Sequence, residues 1–182
     1  MTNSSSTVAL LPLRQAPTSQ LGELQTGIAL LELAPGQDVF VGDPVQMVQG
    51  GLEDPGRHPF AIVPSGIASD AQQASVVGMG ILHVGAATDA GWPDADSAVL
   101  LRGFLVDRRH QGLGYGRAAT LAAIELAKEL VQELQLPAKG VVLGVNERNT
   151  VARSAYLKAG FVDHGRYLGS RSGAQHIMFK AF

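Results

Sequence analysis

The chain has 182 residues, 46% of them hydrophobic and 16% charged, with a formal net charge of -2 and no cysteine. That length fits one domain with ample apolar material for a core, which excludes disorder over most of the chain. The missing cysteine excludes a disulfide scaffold, a thiolate metal site and a cysteine nucleophile, and the balance of 14 basic and 16 acidic residues gives no global attraction to nucleic acid or to an anionic membrane.

No apolar run approaches the roughly 18 residues of a membrane span, and the opening Met-Thr-Asn-Ser-Ser-Ser-Thr has no basic-then-apolar pattern, so a soluble cytoplasmic protein is expected. Residues 1–6 read as a disordered tail and 7–182 as one folded domain. Residues 8–13 form a short apolar run, a strand, and Pro17 with Thr18 or Ser19 starts a helix whose apolar residues Leu21, Leu24, Ile28 and Leu31 recur at helical steps over 21–33. Asp43 before Pro44 is an N-cap signature for a second helix, which Gly50 and Gly51 should end. Residues 60–63 read as a strand, 64–75 as a surface loop, 76–84 as the next strand, 85–97 as a loop holding Trp92, and 98–106 as a third strand. A long helix over 117–134 should bury Leu121, Ile124, Ala127, Val131 and Leu134. Beyond Pro137, a strand at 141–145, a helix capped by Asn149 or Thr150 and ending near Gly160, and strands at 161–167 and 175–179 joined as a hairpin complete a mixed α and β order.

One junction has a specific physical use. Between the strand ending at Val106 and the long helix lies Gln111-Gly112-Leu113-Gly114-Tyr115-Gly116-Arg117. Glycines let the backbone curl and aim several N–H groups at one point, where the helix N-terminus adds partial positive charge; together these bind phosphate or pyrophosphate. Arg108, Arg109 and Arg117 should make the spot locally positive. A Walker A loop would need Lys-Ser or Lys-Thr after the last glycine, and a dinucleotide fingerprint would need Gly-x-Gly-x-x-Gly with an acidic residue about twenty positions on. Neither grammar fits, because the spacing is Gly-x-Gly-x-Gly and Glu133 lies within the helix. A plain glycine-rich connection is the remaining alternative.

A second motif adds to the first. The stretch from Asn146 to Phe161 carries Asn149, Ala152, Tyr156, Lys158, Gly160 and Phe161. With Gln111, Gly114 and Gly116 before it, the sequence resembles the GCN5-related N-acetyltransferases, the GNAT superfamily. The run from Phe104 to Gly116 and the segment from Ala34 to Val41 look closest to the bacterial polyamine acetyltransferase branch. The resemblance implies an α/β (mixed α+β) single domain with a central, mostly antiparallel sheet of six or seven strands and four helices. It implies direct transfer of the acetyl group of acetyl-CoA to a primary amine of a small molecule, a polyamine among the options, without a metal. Members are often homodimers.

Residue by residue, the resemblance places the pyrophosphate on the amides of Gln111, Gly112, Gly114, Tyr115, Gly116 and Arg117, and the pantetheine arm along Phe104, Leu105 and Val106. Phe104 and Val106 should point their side chains into the core. Asn146 or Asn149 would hydrogen-bond the pantetheine, although Asn149 also reads as a plain N-cap. Tyr156 matches the tyrosine that gives a proton to the departing thiolate, and a phenol, protonated at neutral pH, suits that task; a tyrosine packed with Leu157 and Phe161 is the structural alternative. The acidic pair that many members carry before the loop is replaced by Arg102 and Gly103. The base is therefore open, with Glu32, Glu53, Asp54, His58 and His83 as candidates. Acidic loop residues Glu53, Asp54, Asp89, Asp94 and Asp96 would attract a polyamine. The other readings are a non-catalytic acyl-CoA-binding or sensing module of the same fold, acetylation of an amino acid or protein N-terminus, and nucleotide binding by the glycine loop.

Overall fold

The computed structural model describes residues 7–65 and 75–182, so the tail expected at 1–6 and residues 66–74 of the expected loop lie outside the described residues. The elements are β1 (Val8–Pro12), α1 (Thr18–Ala29), α2 (Pro44–Glu53), β2 (Arg57–Pro64), β3 (Gly78–His83), β4 (Val99–Val106), α3 (Tyr115–Glu133), β5 (Gly140–Asn146), α4 (Thr150–Lys158), β6 (Val162–Tyr167) and β7 (Gln175–Ala181). The strands form one mostly antiparallel sheet of order β1-β2-β3-β4-β5-β7-β6. Its parallel pair is β4 with β5, in register Val99↔Val141 and Leu100↔Val142; a parallel connection needs a long crossover, and α3 supplies it. Among the described residues no helix is long and apolar enough to cross a membrane. The chain divides into two compact units, one comprising the chain up to Ile81 and Gly103–Ala122, the other Leu82–Arg102 and Ala123–Phe182.

In the first unit, Leu24 and Ile28 of α1, Val48 of α2, Ala61 and Val63 of β2, Met79 and Ile81 of β3 and Leu105 of β4 form one apolar core with Leu13. Two helix ends differ from the expectation. The first helix stops at Ala29 instead of continuing through residue 33. The following chain is bound elsewhere: the N–H of Glu32 donates to the Asp107 carboxylate (3.0 Å), and its C=O accepts from Arg108 N–H (2.9 Å). The second helix starts as expected, with the Asp43 carboxylate accepting from Gln46 N–H (2.9 Å), but it runs through Gly50 and Gly51 to Glu53. Its last carbonyls have a partner that local sequence does not announce, since the Arg14 guanidinium donates to the C=O of Gly51, Leu52 and Asp54.

Strand β4 carries a left-handed residue within its span, Gly103 at φ +56°. A side chain there would be strained by conformation and would sit 3.0 Å from Met47 Sδ. The irregularity breaks the alternation of faces: Arg102, Gly103 and Phe104 are all half-buried, between buried Val99–Leu101 and buried Leu105 and Val106. The expectation that Phe104 and Val106 share the core is therefore corrected, with Leu105 and Val106 buried and Phe104 partly exposed. Gly103→Ala is expected to cost about 1–2 kcal/mol of stability, read as a lowered urea midpoint.

In the second unit, Ala86, Ala87, Ala90, Ala98, Leu100 and Val142 form a small-residue core against which Trp92, Ile177 and Phe179 pack. Trp92 stacks on Phe179 at 4.5 Å between centroids and donates its indole N–H to Ser97 Oγ (3.0 Å). Helix α3, divided between the units after Ala122, begins two residues earlier than expected and buries Ile124 and Ala127 as expected together with Ala119, Thr120, Ala123 and Leu130, while Val131 is half-buried and Leu121 and Leu134 are 42% and 44% exposed. Alanines on the buried stripe let a helix approach its neighbours closely, so the small residues outrank the leucines that periodicity alone selects.

Candidate active site

The glycine loop is built from local conformation. Asp107 closes β4 and caps a 3-10 turn at Arg108–His110, accepting from Arg109 N–H (2.8 Å). Gly112 (φ +77°) and Gly114 (φ +87°) then take left-handed conformations that a side chain would strain. Gly116 differs: its φ is ordinary, and an added Cβ would meet only Val106 Cγ2 at 3.9 Å, so the fold demands no glycine there. Ala118 N–H closes on Gly114 C=O (3.1 Å), leaving the amides of Tyr115, Gly116 and Arg117 at the open end of α3. Gln111 braces the loop, donating from Nε2 to Val106 C=O (3.0 Å) and to Gln37 Oε1 (3.2 Å), which also accepts Ala34 N–H (3.0 Å).

The charge around this loop is not what the arginine count implies. The Asp107 carboxylate is fully buried and accepts from Arg109 Nε (2.8 Å), Arg109 Nη2 (2.6 Å), Arg109 N–H and Glu32 N–H. The Arg109 guanidinium holds the Asp107 carboxyl well below the usual carboxylate range, against the opposing pull of burial. Arg108 Nε pairs with Glu32 Oε2 at 2.6 Å, and Arg109 Nη1 lies 3.5 Å from Glu32 Oε1. Two arginines thus offset two carboxylates. The positive field at the loop comes from the α3 N-terminus and from exposed Arg117, which has no ion pair among the described residues.

The same pairs bear on the base. Glu32 is committed to the two arginines, and Asp54 accepts Gly56 N–H (2.9 Å) and pairs with Arg57 Nε (3.1 Å). Glu53 is exposed at the end of α2, 3.4 Å from Gln49 Nε2, and His58 is half-buried on β2. His83 Nδ1 faces Arg102 Nη1 at 3.3 Å. Because a guanidinium only donates, Nδ1 must accept, and the ring proton of neutral His83 sits on Nε2. Of the three carboxylates, Glu53 is the one with no ion pair among the described residues.

The second motif is organised within the other unit. Asn146 is 6% exposed and spent on structure, its Nδ2 donating to Ser172 C=O (2.7 Å) and its Oδ1 accepting Arg148 N–H (3.0 Å). Asn149 caps α4, its Oδ1 accepting Ala152 N–H (3.2 Å); its Nδ2 has no partner among the described residues. Tyr156 is half-buried on α4 with its ring edge-on to Phe161 (5.6 Å), whereas Leu157 is 42% exposed. Burial pushes the Tyr156 phenol up to about 12. Arg153, one turn earlier, clamps Asp163 of β6 through Nε (3.0 Å) and Nη2 (2.7 Å), and His176 of β7 adds a 2.9 Å contact to the same oxygen.

The structure therefore brings Phe104, Leu105, Val106 and Gln111 to Arg117 together in one unit, and Asn146, Asn149 and Tyr156 together in the other. Sequence reasoning missed Asp107, whose place directly before Arg108-Arg109-His110 is the only local signal, and the braces Gln37 and Ser172, for which there is none.

The model of the Acetyltransferase (GNAT) family matches residues 40–161. The uncharacterized N-acetyltransferase YbbJ of Bacillus subtilis (strain 168) is 28% identical over 139 residues, which is 76% of this chain and 79% of that one. Spermidine N-acetyltransferase from Vibrio cholerae in complex with CoA and spermine superposes with a TM-score of 0.60 at 14% identity, covering 98% of this chain and 96% of that one. Aminoglycoside acetyltransferase AAC(6')-Ib in complex with coenzyme A and kanamycin gives 0.66 at 16% identity, covering 97% and 95%. The two structural likenesses show the shared fold.

Proposed function

Since the chain belongs to the GNAT family of acetyltransferases and is on that ground an acyltransferase, we propose that it moves the acetyl group of acetyl-CoA directly onto a primary amine of a small molecule. The observation that carries the reading is the loop between β4 and α3, where left-handed Gly112 and Gly114 precede the open amides of Tyr115, Gly116 and Arg117. Such a collar fits a pyrophosphate. With Leu105 and Val106 buried by their side chains, β4 offers its main chain to the pantetheine arm. Acetyl-CoA supplies an acyl thioester whose leaving group is a thiolate.

In direct transfer the new C–N bond forms as the C–S bond breaks, and the electron pair of the broken bond stays on sulfur. Tyr156 gives that thiolate its proton, and its raised pKa keeps it protonated throughout the neutral range. The proton lost by the amine passes to solvent water, and the phenolate left on Tyr156 regains a proton from the same solvent. The polyamine option loses part of its support, because Asp54 is paired with Arg57.

Calorimetric titration with acetyl-CoA and measurement of free CoA release over an amine panel test the reading. Gly114→Ala should weaken acetyl-CoA binding about tenfold or more, because the strained residue re-aims the amides. Binding without CoA release from any amine would instead favour the non-catalytic CoA-binding module, and tight competition by ATP or NAD would favour nucleotide binding.

A further inference from the structure

Arg102 has an arrangement that the transfer reading leaves unused. It lies on β4 immediately before Gly103, 39% exposed at its side chain, and its contacts all use one nitrogen: Nη1 reaches Asp89 Oδ2 at 3.1 Å and His83 Nδ1 at 3.3 Å. Among the described residues Nε and Nη2 have no partner. Those two nitrogens form the edge of a guanidinium that matches a carboxylate in bidentate fashion. The two contacts on Nη1 hold the plane from β3 and from the turn at Ala87–Ala90, so the open edge is already oriented. Asp89 does not cancel it, because it is 57% exposed and a pair between exposed groups is weak.

Its position along the strand gives the edge a purpose, and this step rests on the transfer reading. A chain that starts at the glycine loop and runs along β4 meets Val106 first and then Phe104. Its acyl end comes to the residues before them, with Arg102 about 13 Å of strand from Val106. Further along the same strand, Arg102 presents a cation with an open carboxylate-binding edge.

We propose that Arg102 selects the acceptor: an amine that also carries a carboxylate, held on Nε and Nη2. An amino acid or the free α-amino end of a short acidic compound has this chemistry; a polyamine does not.

The test uses the purified full chain with acceptors matched except for the carboxylate, lysine against cadaverine and phenylalanine against phenethylamine, with spermidine as the polycation. Free CoA release gives kcat and KM, and calorimetry gives acetyl-CoA affinity separately. The carboxylate-bearing member of each pair should be preferred. Arg102→Gln should raise its KM about 10- to 100-fold, with little change in kcat and none in acetyl-CoA affinity. Arg102→Lys, which keeps the charge without the fork, should restore part of the loss. A merely structural arginine would slow both members of a pair alike, and that result overturns the proposal. So does faster turnover of cadaverine or spermidine than of every carboxylate-bearing amine by the wild type, a comparison that needs no variant to fold. Acetyl-CoA binding without acetylation of any carboxylate-bearing amine overturns it as well. Failure of the wild type to bind acetyl-CoA would overturn the transfer reading itself, and this proposal with it.

Discussion

Asp107→Ala is expected to lower the unfolding free energy by about 3 kcal/mol and the melting temperature by roughly 10 °C, the largest stability effect of any single replacement at the site. The carboxylate is fully buried and is the common acceptor for two main-chain amides, of Glu32 and Arg109, and for the Arg109 guanidinium. Its removal strands those main-chain donors and frees the segment after α1 from the loop after β4. The pH dependence has a definite sign. The folded carboxyl is held below its usual value chiefly by the Arg109 hydrogen bond, so its contribution is fully present above about pH 4 and is lost as the pH falls through the lowered folded value. Chemical denaturation at a series of pH values should therefore show the gap between wild type and variant narrowing in acid. A constant gap from pH 7 to pH 3 would contradict the assignment. Asp107→Asn, which keeps the shape and one acceptor, should fall between the two. The same replacement should weaken acetyl-CoA binding, because the 3-10 turn at Arg108–His110 that leads into the glycines loses its cap.

Tyr156→Phe carries the largest expected effect on turnover, a fall in kcat of about 100-fold or more with KM for acetyl-CoA nearly unchanged. The edge-on contact with Phe161 survives the replacement, so stability should hold within about 1 kcal/mol and a loss of rate is not a loss of fold. Burial keeps the phenol protonated up to about 12, so this group should impose no fall in kcat between pH 8 and 10. An alkaline limb near pH 9 that vanishes in the Phe variant would argue for a different environment around the hydroxyl, and unchanged turnover would remove the acid role altogether.

What was legible in the sequence was set by short-range chemistry. Asp43 and Asn149 read as N-caps because a short carboxylate or amide bonds an amide three residues on, and both do so. Gly112 and Gly114 read as a backbone device because only glycine takes their left-handed conformations without strain, and the order of strands and helices followed from apolar periodicity and turn residues. The family was legible for the same reason, since its two motifs are contiguous along the chain.

What was not legible depends on partners far apart in sequence. Glu32 and Arg108 are 76 residues apart, so counting arginines near the loop overstated its charge. The end of α2 rests on Arg14, 37 residues before Gly51, which no rule of local propensity includes. The buried stripe of α3 was chosen by how closely its alanines pack, a property of the neighbouring surface and not of the helix alone. By itself, then, the sequence determined the elements, their caps and the left-handed glycines of the loop that opens α3. Only the tertiary structure decided which charges there cancel, which face of each element is buried, and that Arg102 keeps one edge open, because ion pairing and packing act through space between residues whose separation along the chain carries no signal.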